Sequence, residues 1–387
     1  MVVNGSVSPE EGEFPWHLGV HDAHCHPTDI MATIHDVPLM KTQGLTVMAT
    51  RRQDQHLVAR FADELQQEQG QPQRKEIIPS FGFHPWFSHQ LIEDRGFPVG
   101  ERPSKADHYR QVIKPVPEND QDFLNSLPEP LLLSEVLQAI ESHLLQYPDA
   151  LVGEIGLDKA FRIPGAQLLD DPSDLDAGLT PGRREGRKLS PYRVNPHHQQ
   201  KILLSQLRLA AKLQRPVSVH GVAAHGLLYE TIASTWRSQQ IIGDTENTIS
   251  EEGKAELRYE HKPHPPRICL HSYSGHVDTM KQYLQPSVPA KVFFSFCTLV
   301  NFSPESARAV DVIKAVPPDR VLAESDLHAA GDEMDKLMED IVRKICRIKG
   351  WSLTFGVERI GKNWRHFVFG SADAKRVRIE SEEDESE

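Results

Sequence analysis

The chain has 387 residues, 39% of them hydrophobic and 25% charged, which supports a sizeable core and excludes a globally disordered protein. Mean hydropathy is −0.46, and no apolar run reaches the roughly eighteen residues of a membrane span. Half of the −12 net charge comes from six acids among the last eight residues, so the body is only mildly acidic; that disfavours duplex binding through a basic face but not a small metal-lined site that handles phosphate.

The first strand expected along the chain is HLGVHDAHCH (17–26), followed by LTVMAT (45–50) and an amphipathic helix over 54–68. EIIPSFGFHP (76–85) is a third strand. A stretch rich in proline and charge (89–130) precedes a helix over 134–146 and the strand ALVGEIGLD (150–158). Residues 162–195 mix Pro, Gly, Asp and Arg without periodicity. A helix over 197–214 follows, with Asn195 as its N-cap and Pro196 in its first turn. Then come the strand PVSVHG (216–221), a helix over 225–238, a polar segment (241–266) and the strand RICLHSY (267–273). A helix over 277–284, the strand KVFFSF (291–296), a helix over 306–316 and the strand RVLAESD (320–326) complete the series.

Eight strands alternating with helices predict an α/β fold of parallel βα units. A closed (β/α)8 TIM barrel is the economical form, with a doubly wound open sheet as the alternative. One domain spans 1–370. The segments 89–130, 162–195 and 241–266 are insertions expected to be disordered decoration, and 371–387 is an acidic disordered tail.

Histidine is the outlier of the composition, with 20 copies. His24 and His26 lie two apart at the end of the first strand and are expected to share a face with Asp22, while Cys25 points to the helical layer. Two imidazoles so spaced can chelate a divalent ion, or can be ordinary strand-end residues. Other strands end alike: Glu154 closes ALVGE, His220 closes PVSVH, His271 closes RICLH and Asp326 closes RVLAESD. Singly, these read as an exposed acid, satisfied core histidines and a helix cap. Together they point to one metal site at the C-terminal mouth of a barrel, where strand ends converge.

In this order and spacing, HDAHCH, GFHPW, GEIGLD, PVSVH, CLHSYSG and LAESD resemble the TatD-related metal-dependent hydrolases. These are barrel enzymes of the amidohydrolase group whose bacterial members are described as deoxyribonucleases. The resemblance runs from about His17 to Phe369. It implies the ligands His24, His26, Glu154, His220, His271 and Asp326, the set that the strand ends also give. The chain departs from the family on the substrate side. Lys159 stands where an aromatic is usual, Val222 where an arginine is usual and Cys297 where a glycine is common. Ser325 replaces a threonine in the closing motif, and Leu327, His328, Ala329 and Ala330 follow it. Lys159 or Arg162 is a candidate for the missing phosphate contact.

So many imidazoles and carboxylates exceed one tetrahedral ion, so two divalent ions are expected, Mg2+ or Zn2+, with Mn2+ a further option. Glu154 is expected to bridge or adjoin them. His24 and His26 would hold one ion, and His220 and His271 would complete the pair. Asp326 would ligate and orient or deprotonate a water. His84 of GFHPW is either a contact to the scissile phosphate or a packed histidine behind the ligands. Trp86 and Tyr273 could stack a terminal base or simply pack at the rim.

The expected function is a metal-dependent ester hydrolase, a phosphodiesterase that trims single-stranded DNA ends. The same ligands also suit amide or lactone hydrolysis of a small molecule. In a third reading the barrel is a scaffold for a protein partner, bound through the insertions or the acidic tail. Fungal members that resemble this chain are described as interacting with a subunit of the anaphase-promoting complex. Four scattered cysteines (Cys25, Cys269, Cys297, Cys346) without a CxxC pair, and an N-terminus lacking a secretory pattern, point to reduced thiols and to the cytoplasm or nucleus. No membrane partner is expected.

Overall fold

A computed structural model describes residues 12–67, 75–95, 102–168, 180–182, 184, 186–246, 264–303 and 307–370. The tail 371–387 and most of the 241–266 segment lie outside the described residues. Eight strands form one sheet: β1 (His21–Cys25), β2 (Gly44–Met48), β3 (Glu76–Phe81), β4 (Leu151–Asp158), β5 (Val217–Val222), β6 (Arg267–Leu270), β7 (Lys291–Phe296) and β8 (Val321–Ala323). Each is parallel to the next and the order follows the chain without reversal, which is the barrel and not the doubly wound sheet. The ring is drawn shut past the strand ends. Asp326 N–H donates to His24 O at 3.0 Å, His26 N–H to Leu327 O at 2.8 Å and Ser325 N–H to Asp22 Oδ1 at 3.1 Å.

The helices are α1 (Gln55–Gln67), α2 (Lys105–Val112), α3 (Gln121–Ser126), α4 (Leu133–Gln146), α5 (Pro196–Lys212), α6 (His225–Glu246), α7 (Val277–Gln282), α8 (Thr298–Asn301), α9 (Ala307–Ala315), α10 (Asp332–Lys349) and α11 (Leu353–Phe369). The start of α5 follows from its sequence. Asn195 Oδ1 accepts from His197 N–H at 3.1 Å, and Pro196 sits in the first turn, where a missing N–H costs no helical bond.

Outward residues such as Leu45, Val47, Val152, Val219, Ile268 and Phe294 join the helices in the main core. Inside the barrel, Ala23, Ile78, Leu151, Cys269, Phe293 and Leu322 meet Trp364, Phe367 and Val368 of α11. Trp364 is fully buried, donates from Nε1 to Thr46 Oγ1 at 2.9 Å and stacks on His21 with ring centroids 4.4 Å apart. α11 therefore forms a floor at the N-terminal mouth, and the polar residues collect at the opposite one. The sequence reading missed α10 and α11. Yet Met334, Met338, Ile341, Val342, Ile345 and Cys346 are buried apolar positions of α10, at helical spacing.

Two expectations need correction. The insertions 89–130 and 162–195 are not simply disordered decoration. Tyr109, Val112 and Ile113 around α2, and Phe123, Leu124 and Leu127 around α3, pack with Ile163, Tyr192 and Val194 in a small core of their own. Residues 193–194 pair antiparallel with 113–114, so the two insertions support each other. The apolar spacing within the first was masked by its prolines and charges. Its partner is moreover some eighty residues away, beyond the reach of local periodicity. The second correction concerns Asp22, which does not share the face of His24 and His26. The β1–β2 register slips between Asp22 and Cys25, and Asp22 Oδ1 accepts from the backbone N–H groups of His24 and Ser325 at 3.0 and 3.1 Å. Cys25 does face the helical layer, and all four cysteines are buried and unbridged.

The second insertion also reaches the C-terminal mouth. Arg51, 1% exposed, pairs with Asp29 and Asp54 at 3.0 Å and donates to Thr180 O and Pro181 O at 3.0 and 3.1 Å. Thr180 Oγ1 donates in turn to Thr28 O at 2.6 Å. No helix among the described residues is long and apolar enough to cross a membrane.

Candidate metal centre

All six expected ligands meet at the C-terminal mouth, with His84 among them. His26, His84, His271 and Asp326 lie just past the ends of β1, β3, β6 and β8. His24 lies within β1, His220 within β5 and Glu154 in mid-strand on β4. The β4–β5 register shifts between Val217 and Val219, where Val152 and then Ile155 are the partners, so one extra residue is taken up next to Glu154. Asp326 has φ +54° and Ser272, beside His271, has φ +41°. Non-glycine residues held left-handed cost of order 1–3 kcal/mol and gather at functional strand ends.

Glu154 divides the cluster. Its Oε2 stands 3.4 Å from both His24 Nε2 and His26 Nε2, which are 3.2 Å apart, and Asp326 Oδ1 lies 3.9 and 3.5 Å from the same two nitrogens. Its Oε1 stands 2.8 Å from His271 Nε2, 2.9 Å from His220 Nδ1 and 3.1 Å from His84 Nε2. Donors around one tetrahedral ion at 2.0–2.1 Å are about 3.3 Å apart, the spacing of the first set. Combinations of these residues make three groups of donors close enough together to hold an ion.

The outer ring nitrogens decide which atoms can ligate. His220 Nε2 is 3.2 Å from Asp158 Oδ2, a carboxylate that only accepts, so Nε2 carries the proton and Nδ1 turns its lone pair inward. His271 Nδ1 faces Glu324 Oε1 at 3.6 Å and His24 Nδ1 meets Ser218 Oγ at 2.9 Å, leaving both Nε2 atoms for a cation. His84 is the reverse. Its Nδ1 accepts from Trp86 N–H at 3.1 Å, so Nε2 bears a hydrogen and points at Glu154 Oε1 as a donor. The donors of His24, His26, Glu154, His220, His271 and Asp326 fit the binding of divalent metal, with His84 a donor beside them.

The family described as TatD-related DNase matches residues 21–368. The chain belongs to this family. The Cut9-interacting protein scn1 of Schizosaccharomyces pombe is 38% identical over 350 residues, 90% of this chain and 98% of that protein. The uncharacterized deoxyribonuclease YMR262W of Saccharomyces cerevisiae is 32% identical over 259 residues, 65% of this chain and 67% of that one. Two solved structures share the fold. YJJV, a TatD homologue from Escherichia coli K12, has a TM-score of 0.50 at 17% identity, covering 90% of this chain and 97% of its own. An uncharacterized amidohydrolase from Saccharomyces cerevisiae has a TM-score of 0.53 at 12% identity, covering 89% and 98%.

The electrostatics of this TatD-related centre follow from burial and mutual contact. Burial would raise the Glu154 carboxyl, but the imidazoles of His84, His271 and His24 outweigh it and hold the group well below the usual carboxylate range. Burial is likewise outweighed at Asp326 by His26, His271 and His24, and this group too is lowered. At Asp158, His220 and Trp86 overcome burial and bring the carboxyl down to about 2. Burial would lower His271 and His220, but Glu154 with Glu324, and Asp158 with Glu154, raise them. At His84 burial wins and brings the imidazole down to about 4, so it is neutral. Glu154, Asp326 and Asp158 are ionised, and a cation bound among them would displace imidazole protons.

The cleft over these residues is about 230 Å3, and Thr50, Trp86, Phe87, Val222, Val300 and His328 form its walls. A larger cavity, about 410 Å3, lies among Arg95, His108, His198 and Lys201, away from the ligand set. Trp86 lines the cleft, but Phe161 stacks on it at 4.7 Å and its Nε1 donates to Asp158 Oδ2 at 2.6 Å. Tyr273 is buried outside the cleft lining, with Oη donating to His276 O at 3.1 Å. Lys159 is exposed and outside the lining, and Arg162 gives its Nε to Ser190 O at 2.6 Å. Cys297 is buried beside Ser272, with Sγ accepting from Val300 N–H at 3.3 Å. The sequence reading missed Asp158, Glu324 and Ser218, which orient the ligands. Asp158 and Glu324 sit in the quoted motifs GEIGLD and LAESD, and that adjacency was the available signal.

Proposed function

We propose that this protein is a two-metal phosphodiesterase that hydrolyses DNA from single-stranded ends. The observation that carries the reading is Glu154, whose two carboxylate oxygens face separate imidazole sets, His24 with His26 and His220 with His271. Bound divalent ions would polarise a phosphoryl oxygen and bring the pKa of water toward neutrality. Asp326, ionised and beside His26 at 3.5 Å, orients the attacking water and takes its proton. Neutral His84 offers its Nε2–H to a phosphate oxygen or to the leaving oxygen. The floor at α11 leaves one mouth, and a narrow cleft suits a strand end better than intact duplex. Membership of the TatD family and the deoxyribonuclease name of one relative support the same reading. Cytoplasm or nucleus is the compartment that goes with it.

The test is nucleotide release from end-labelled single-stranded DNA with Mg2+, Mn2+ or Zn2+, run beside an EDTA sample and Asp326→Ala. Metal-dependent release abolished in both controls is expected, and the labelled end gives polarity. No release by protein shown to hold two ions would remove the nuclease reading and favour small-molecule esters or amides. A second reading rests on the 38% identity to a protein named for interaction with Cut9: the barrel also binds a protein partner. Deleting the acidic tail 371–387 should then abolish partner binding while turnover persists.

A further inference from the structure

The ions account for charge at one phosphate, yet a DNA end presents several. Apolar Val222 lines the cleft, and neither Lys159 nor Arg162 is among its lining residues. Beside the cleft, with Val300 as a wall common to both, lies a second cavity of about 90 Å3. Tyr273, Ser274, Gly275, Val300, Asn301 and Arg308 bound it. These residues come from the chain just past His271, from α8 and from the first turn of α9.

The cavity is cationic, small and shaped by backbone. Arg308 is exposed and brings Nη1 to 3.5 Å from Ser274 O, and it pairs with no carboxylate among the described residues. Arg51, Arg343 and Arg365, by contrast, are each paired with an acid. Ser274 Oγ and His225 Nε2 are 3.3 Å apart, so a hydroxyl also sits at the rim. Gly275 is required, since a Cβ there would fall 2.4 Å from the Tyr273 hydroxyl, which is itself held by His276 O. Such a space admits a tetrahedral oxyanion.

We propose that this pocket receives the phosphodiester flanking the scissile one in a single-stranded DNA substrate, with Arg308 as its charged contact. The inference rests on the nuclease reading above and extends it: substrates with two or more phosphates are selected over mononucleotides. Arginine suits the role because its planar fork matches phosphate geometry and stays charged at any working pH.

The experiment measures binding of a fluorescein-labelled, nuclease-resistant phosphorothioate oligothymidylate to the full chain loaded with metal, over a range of salt. Thymidine monophosphate and inorganic phosphate serve as one-phosphate competitors. Arg308→Gln should weaken oligonucleotide binding about tenfold and reduce the slope of log K against log salt by about 0.7. Competition by the two one-phosphate ligands should not change, and Arg308→Lys should recover part of the loss. Unaltered oligonucleotide affinity and slope in Arg308→Gln would overturn the subsite, as would an equal loss for the monophosphate. Absence of oligonucleotide binding by the metal-loaded wild type would instead overturn the nuclease reading, and the subsite with it.

Discussion

Asp158→Asn separates orientation of a ligand from ligation itself. Asp158 Oδ1 accepts from Ala160 N–H and Phe161 N–H at 2.7 and 2.9 Å, and Oδ2 accepts from His220 Nε2 and Trp86 Nε1 at 3.2 and 2.6 Å. An asparagine must keep its oxygen on the two backbone donors, so its NH2 group faces two further donors. His220 can then relieve the clash only by moving its proton to Nδ1, the atom that faces Glu154. Metal affinity should fall 10- to 100-fold, or about 1.4–2.7 kcal/mol, although the variant touches no ion. The ion-free protein should lose stability too. A carboxyl brought down to about 2 from 3.8 corresponds to about 2.5 kcal/mol. Because the folded pKa is depressed, that contribution is present above pH about 4 and disappears as pH falls toward 2. Titration against a competing chelator gives the affinity, and urea unfolding of ion-free protein at pH 7 and pH 3 gives the stability. Wild-type affinity together with an unchanged midpoint at pH 7 would refute the tautomer argument.

On the two-metal proposal, Glu154→Gln should reduce bound metal from two ions to one or none, as read by elemental analysis of gel-filtered protein, and abolish turnover. Ligand imidazoles must be neutral to bind, and His220 and His271 are raised in the ion-free protein, so metal affinity should rise with pH from 5.5 to 7.5. Calorimetric titration in two buffers of different ionisation heat should also show proton release on binding; its absence at pH 6 would contradict the raised pKa values. Trp364→Ala removes the centre of the barrel floor and the donor to Thr46, and should cost about 3–5 kcal/mol by urea unfolding.

The barrel and the residues gathered at its mouth were readable because most of the contributing strands carry their own signal: an apolar run with a metal-competent side chain at or near its end. RICL followed by His271, and VLAES followed by Asp326, keep that pattern whatever surrounds them. The two insertions were misread because their small core joins Tyr109 and Phe123 to Ile163 and Tyr192 across a gap with no local period. Asp22 was misplaced because a slipped register leaves no mark on strict alternation. The roles of Ser218 and Asp158 depend on which nitrogen of a ring faces which acceptor, a matter of geometry that residue types alone do not encode. Arg308 lies in an amphipathic stretch, where a lone basic residue resembles any solvated one.

The seam that shuts the barrel joins Asp22 to Ser325, 303 positions apart. On a translating ribosome, adding about 5–20 residues per second, β1 waits on the order of 15–60 s for that partner to be made. For all of that interval its open edge and the His24–His26 pair are presented without Asp326, and without the indole that seals the floor. On the proposed ligand set, the full metal site is assembled only once β8 and Asp326 have been made. A chaperone that shields the β1 edge during synthesis would guard both the closure of the ring and the choice of ion that follows it.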